Sequence, residues 1–244
     1  MITAVLSLML CALTPDGGNG PQLPNMSFDQ WTGDKLENWG SAAASTKKLG
    51  QITVSPEEKF VAVPGSGKKA VKLETKPLKA LFGAIKKLGA GSIFLGRTGK
   101  VDFSKMSAHI HWGVPFTARP EALEGYACYK PGVIDWAQPP YEKLKGKTDR
   151  ATISVILADW DQPYDVCPPD QLLDVEKDPG IIGSGLLVLD KEQDGYQKFR
   201  IEIKYRNNRV PKYVIVACSS SERGDFFTGS TTSVLYVDEF RFVY

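Results

Sequence analysis

The stretch Phe199-Arg200-Ile201-Glu202-Ile203-Lys204-Tyr205-Arg206 restricts the fold more than any other part of the chain. Side chains alternate sides along a strand, so Phe199, Ile201, Ile203 and Tyr205 must share one face and the four charged residues the other. One face packs on a core and one meets water, which is the pattern of a layer in an antiparallel sandwich. Residues 152–157 and 213–218 are more continuously apolar and read as strands covered on both faces; 185–189 and 234–244 add two more. With 23 Gly and 16 Pro breaking the chain into short extended runs, the fold class reads as all-β, an antiparallel β-sandwich or jelly-roll. One short helix is expected over 77–88, where Leu78, Leu81, Phe82, Ile85 and Leu88 recur at three- and four-residue steps between Pro77 and Gly89.

Residues 1–13 are apolar apart from Thr3 and Ser7. The run is too short to span a membrane and fits the hydrophobic part of a secretory signal, although no Lys or Arg precedes it. Cys11 stands where a lipid-bearing cysteine would, with Leu10 where a small residue is normally needed; a buried strand is the other reading. Residues 14–25 read as a flexible linker and 26–244 as one folded domain. The chain is thus expected to be exported to the periplasm, outer membrane or cell surface, touching membrane only through such an anchor. Lys+Arg 30 against Asp+Glu 28 gives no concentrated basic surface, which argues against nucleic acid. Cys128, Cys167 and Cys218 form neither a disulfide framework nor a zinc pattern. Cys218 reads as a small core residue, while Cys128 and Cys167 could bridge or remain thiols. His109 and His111 share a strand face but lack a third ligand, and Ser219-Ser220-Ser221 lacks a nucleophile-elbow pattern.

Three blocks carry a family resemblance: residues 70–75; residues 90–96 continuing through 113–126; and residues 219–230 running into 233–240. With Phe28-Asp29-Gln30-Trp31 and Trp39-Gly40-Ser41, they resemble the Putative carbohydrate metabolism domain family. That family is a β-jelly-roll of exported proteins from gut-dwelling Gram-negative bacteria. The resemblance covers Met26 to Tyr244 and implies a carbohydrate-binding-like sandwich, not a defined reaction.

Sugar binding needs flat aromatic faces for the C–H surface of a pyranose and polar side chains for its hydroxyls. Trp160, flanked by Asp159 and Asp161, and Trp136, in a Pro-rich stretch, are the candidate platforms; each also reads as packing over a loop. Loops at one end of the sandwich could bring the two together. Arg119 could make a bidentate sugar contact or an ion pair with Glu74. Of Tyr126 and Tyr129, three apart, one at most can face a ligand, and Tyr126 joins the candidates. Trp31 and Trp39 read as core, and Asp225 and Asp238 as hydrogen-bonding turn backbones. Asp29 with Asp238 is a candidate structural calcium pair; no other cofactor or metal is expected. Asp159, Asp161 and Asp165 supply carboxylates without defining a catalytic pair. The expected function is a non-catalytic glycan-binding module that captures polysaccharide or oligosaccharide. Alternatives are a glycoside hydrolase or lyase on the same fold, and a structural or adhesive module binding protein.

Overall fold

Two antiparallel sheets face each other across the apolar residues that alternation turns inward. The computed structural model describes residues 20–41, 43–64, 67–80, 85–102 and 107–244. The expected signal segment and residues 14–19 of the expected linker lie outside the described residues. A hairpin of β1 (Trp31–Thr32) and β2 (Lys35–Leu36) comes first, then β3 (Gly40–Ser41), helix α1 (Ala43–Lys48), β4 (Val54–Glu57) and β5 (Ala70–Glu74). β6 (Lys76–Ala80) and β7 (Ile85–Gly89) pair with each other as a ribbon. β8 (Ser92–Phe94) leads through β9 (Gly96–Asp102), β10 (Ser107–Trp112) and β11 (Val114–Pro115) to the long β12 (Ala122–Lys130). The second half holds β13 (Ala151–Ala158), β14 (Tyr164–Val166), β15 (Ile181–Leu189) and β16 (Gln197–Glu202). β17 (Lys204–Tyr205), β18 (Tyr213–Ser219) and β19 (Val234–Val243) complete it.

One sheet has the order β17-β15-β13-β18-β8-β3, with β11 also paired to β18, and the other β16-β12-β19-β5-β4. Ile153, Val155 and Leu157 of β13 and Val214 and Val216 of β18 meet Leu123, Leu235 and Val237 from the opposite sheet, all fully buried. Each such side chain contributes about 2 kcal/mol by leaving water, set against the entropy of ordering it. Trp39 lies in this core and Trp31 packs against it, as expected.

The alternating 199–206 stretch divides at Ile203. β16 pairs with β12 in one sheet, and β17 pairs with β15 in the other. Phe199, Ile201 and Ile203 nevertheless all enter the same core, because the chain crosses between sheets without losing its two-residue phase.

The helix expected over 77–88 is instead the β6–β7 ribbon. Leu78 and Leu88 are buried from opposite strands of that ribbon, so a spacing that suited a helical face also suits a folded-back pair. Leu81 and Phe82 lie outside the described residues. The α-helix is six residues at Ala43–Lys48, where the Ser41 hydroxyl oxygen accepts the Ala43 N–H at 3.3 Å. Cys128, Cys167 and Cys218 are all free thiols, so the 128–167 bridge does not form; Cys218 is core.

Candidate functional site

Because Ile153, Val155 and Leu157 point inward, Thr152, Ser154 and Ile156 point outward, and Ala217 and Ser219 do so on neighbouring β18. One end of this outer face, at Ile156, Ile181 and Ile215, is filled by Trp112, Trp160, Leu173 and Val175. At the other end β13 and β18 offer only small side chains, and a cavity of about 240 Å³ remains. Thr152, Ser154, Ala217 and Ser219 line it from the sheet. Leu78 and Leu88 of the ribbon and Ala108, Ile110 and Trp112 of β10 line it from the covering layer.

That covering layer is the three-stranded sheet β14-β10-β9 together with the ribbon. β9 departs from β8 at Gly96 and β10 returns at Gly113, with φ of 144° and 108°, where other L-residues are strained. A Cβ on Gly96 would also run into the His111 carbonyl oxygen. Within the layer His111 Nδ1 of β10 is hydrogen-bonded to Asp165 of β14, and Ser107 Oγ donates to the Pro168 carbonyl just after β14 at 2.5 Å. His109 is exposed, so the histidine pair is split between a hydrogen bond and solvent.

Asp225 lies in the 3₁₀ turn Gly224–Phe226 and lines the cavity. Contrary to expectation it bonds no turn backbone, and among the described residues it has no hydrogen-bond or ion-pair partner. Asp225 is exposed by surface area, while the protein packed near its carboxyl pushes that pKa up. Phe227, left-handed at φ 52°, lines this cavity and also a second cleft of about 280 Å³ with Lys86, Gln138, Pro139 and Pro169. Lys87 Nζ sits 3.8 Å from the Phe227 ring centroid. Burial lowers the Lys87 pKa and nearby Asp170 offsets part of that effect. Tyr141 meets Phe226 edge-on at 4.9 Å.

The Ser219–Ser221 triple is structural. Ser221 Oγ, Ser233 Oγ and Ser230 N–H all donate to Asp149 Oδ2, at 2.6, 2.9 and 2.8 Å. Thr75 Oγ1 reaches Ser220 and Ser221 at 2.8 and 2.7 Å, and the Tyr129 hydroxyl donates to the Ser220 carbonyl at 3.3 Å. Asp149 is buried, and desolvation raises its pKa despite these donors. The network anchors the loop that carries Asp225 to the base of β13. Asp149 carries no sequence signal beyond being a lone acid ahead of an apolar strand.

Trp160 and Trp136 stand at opposite ends of the sheet. Trp160 follows Ala158, which pairs with Tyr213; Trp136 N–H bonds the Gly229 carbonyl at 3.3 Å, beside Asp149 and the start of β13. The Trp160 indole lies against Gly180 and Tyr164, and its Nε1–H donates to Asp178 at 3.1 Å. The Trp136 Nε1 and the Trp112 Nε1 are buried without partners among the described residues. Asp159 is paired with Arg209 at 2.6 Å, and exposed Asp161 with Lys212 at 2.7 Å. Tyr126 is on β12 in the other sheet, opposite Lys198 and Asp238.

Arg119 does not meet Glu74, which pairs with Lys72 and Lys76. Its guanidinium stacks 4.0 Å from the Tyr205 ring centroid and donates to the Asn207 and Arg209 carbonyls, because the 207–209 turn offers carbonyls that point at it. Asp238 does bond turn backbone, accepting from Ala62 and Glu239 N–H, and Asp29 accepts from Lys68 and Lys69 N–H. Each of those carboxylates is thus engaged by backbone, and among the described residues no group of three or more His, Cys, Asp or Glu could hold a metal.

No curated protein matches this chain. A protein described as a putative glycoside hydrolase from Bacteroides thetaiotaomicron superposes with a TM-score of 0.63 at 22% identity, over 93% of this chain and 70% of that one. Another so described, from Bacteroides vulgatus, gives 0.64 at 16% identity, over 84% and 85%. At these identities the likeness concerns the sandwich alone. The family model described as Putative carbohydrate metabolism domain matches residues 25–243, and the chain belongs to that family.

Proposed function

We propose that this carbohydrate-related domain is a non-catalytic glycan-binding module, exported to capture polysaccharide or oligosaccharide, and that it holds sugar in the cavity over the seven-stranded sheet. The observation that carries the location is Asp225: an unpartnered carboxylate facing a largely apolar cavity, next to the hydroxyls of Thr152 and Ser219. A carboxylate without a protein donor can accept from a sugar hydroxyl. The aromatic rings of Trp112 and Phe227 supply the apolar surface a sugar face needs. Export rests on the apolar character of residues 1–13.

A second reading, glycoside hydrolysis at the same place, is favoured by one pairing. Glu222 also lines the cavity and is ion-paired with Arg150 at 2.5 Å and Arg223 at 3.0 Å, while the carboxyl pKa of Asp225 is pushed up. A carboxyl with a raised pKa beside an ion-paired carboxylate is what an acid and its partner require.

The test is native affinity electrophoresis of the purified chain in gels containing plant and host polysaccharides. Retardation by one of them, abolished by Thr152→Leu and by Asp225→Ala in proteins that still melt cooperatively, is the expected result. Retardation that survives both substitutions would move the site elsewhere, and none across the panel would end the glycan reading. Release of new reducing ends from the retarding polysaccharide, lost in Asp225→Asn and Glu222→Gln, would replace binding with hydrolysis.

A further inference from the structure

The second cleft, of about 280 Å³, combines aromatic surface with positive charge. Lys86 and Lys87 of β7, Gln138 and the rings of Phe226 and Phe227 line it, with two prolines. In extended backbone consecutive side chains point to opposite sides, yet Phe226 and Phe227 line one cleft. The chain turns between them with Phe227 left-handed at φ 52°, a costly conformation outside glycine. Both rings stay half-buried. The Gln138 N–H donates to Thr228 Oγ1 at 2.9 Å, which fixes the residue, while its exposed side-chain amide has no partner among the described residues.

The charge comes from the ribbon. Residues 76–89 hold four lysines and no acid. Lys76 is paired with Glu74, but Lys79 and Lys86 stand directly opposite each other on the two strands. Both are exposed and neither has an ion-pair partner among the described residues. Like charges in that cross-strand position repel. Beside them, burial lowers the Lys87 pKa, and Asp170 offsets only part of the effect. An anion in the cleft would relieve the repulsion and stabilise the charged form of Lys87.

Resting on the glycan-binding reading above, we infer that this cleft is a subsite for a negatively charged sugar unit, its ring against Phe226 and Phe227 and its acid group at Lys86 and Lys87. The Gln138 amide serves a hydroxyl of the same unit. Phe227 lines both the cleft and the cavity, so the charged unit is a neighbour, on one glycan chain, of the unit held in the cavity. A uronate carboxylate and a sulfate ester share this chemistry, since a lysine ammonium meets either as a point charge.

The test is affinity electrophoresis of the intact chain in gels with charged polymers and their neutral counterparts. Polygalacturonate, alginate and hyaluronate are each used before and after methyl esterification of their carboxyls, and dextran sulfate is used beside dextran. At least one charged polymer is expected to bind about tenfold tighter than its neutral form. The double variant Lys86→Gln with Lys87→Gln, still melting cooperatively, should lose about tenfold in affinity for that polymer. Lys59→Gln with Lys68→Gln removes the same charge from the loop that Asp238 and Tyr196 hold over the other sheet, and should stay within about twofold. Preference for a uronate polymer assigns the group as a carboxylate, and preference for dextran sulfate assigns it as a sulfate ester. Equal binding of charged and neutral forms, or equal losses in the two double variants, overturns the subsite. Retardation by neutral polysaccharide alone also overturns it and leaves glycan binding standing. Failure of every polysaccharide removes both.

Discussion

The Ser221 hydroxyl donates to Asp149 Oδ2 at 2.6 Å in a region closed to bulk water, and that bond joins the loop after β18 to the residue two before β13. Asp149→Ala would leave Ser221, Ser233 and the Ser230 N–H without their acceptor. At about 1 kcal/mol or more for each buried donor, the loss should total about 3–5 kcal/mol. Ser221→Ala removes one donor and keeps the rest, for about 1–2 kcal/mol. Urea unfolding of both variants checks the order; equal losses would mean the carboxylate is not the hub.

Gly96 controls the covering layer more than the sandwich. At φ 144° a side chain is strained, and a Cβ there meets the His111 carbonyl. Gly96→Ala should cost about 2–3 kcal/mol and should raise hydrogen exchange of β10 amides while those of β13 stay protected. Protection unchanged in β10 would show that the layer does not depend on this bend.

Much of the sandwich was legible because its strands obey a two-residue period. Thr152–Leu157 and Tyr213–Cys218 became adjacent central strands, and Trp39 became core. The ribbon was misread because the Leu78 and Leu88 spacing fits two geometries, and only pairing across the turn decides between them. Asp225 was read as a turn acceptor because sequence reveals which residues can accept, not which have no donor nearby. The cavity itself was invisible. It depends on Gly96 and Gly113 sending a hairpin across an outer face whose Thr152, Ser154 and Ala217 look, in sequence, like an ordinary solvent-facing set.

Two carboxylates set opposite pH trends. Burial pushes Asp238 to about 7, with the Glu239 and Asp29 charges adding to the rise and the Ala62 and Glu239 N–H groups opposing it. A folded pKa above the unfolded one means that the folded state holds the proton more tightly. This stabilisation is complete below about pH 4 and disappears as pH rises through about 7. The interval from 3.8 to about 7 corresponds to at most about 4 kcal/mol. Glu124 runs the other way: Arg241, with Lys198 and Arg200, holds it near 2 against some desolvation, so its contribution is present above about pH 4.5 and is lost on acidification. Stability should therefore fall between pH 5 and pH 8 in the parent protein. Asp238→Asn should be weaker at low pH, having lost an acceptor, but should show a flatter decline over that interval. A parallel decline in both proteins would assign the trend to another group.

Trp160 offers the sharpest contrast between packing and recognition. Its indole fills the apolar end of the outer face with Ile156, Ile181 and Ile215, rests on Gly180 and donates to Asp178 at 3.1 Å. The flanking acids are likewise engaged, Asp159 by Arg209 and Asp161 by Lys212. A ring held on this many sides gains little from a sugar and loses much when truncated. Trp160→Ala should destabilise the fold by about 2–4 kcal/mol, lowering the melting temperature by several degrees. Polysaccharide affinity of the folded fraction should remain within about twofold of the parent. Leu88→Ala opens the cavity wall instead: it should also cost about 2–3 kcal/mol, but with a clear loss of affinity. Measuring melting and gel retardation together on the two variants separates the roles, and retardation lost in Trp160→Ala but kept in Leu88→Ala would relocate the sugar site to the Trp160 loop.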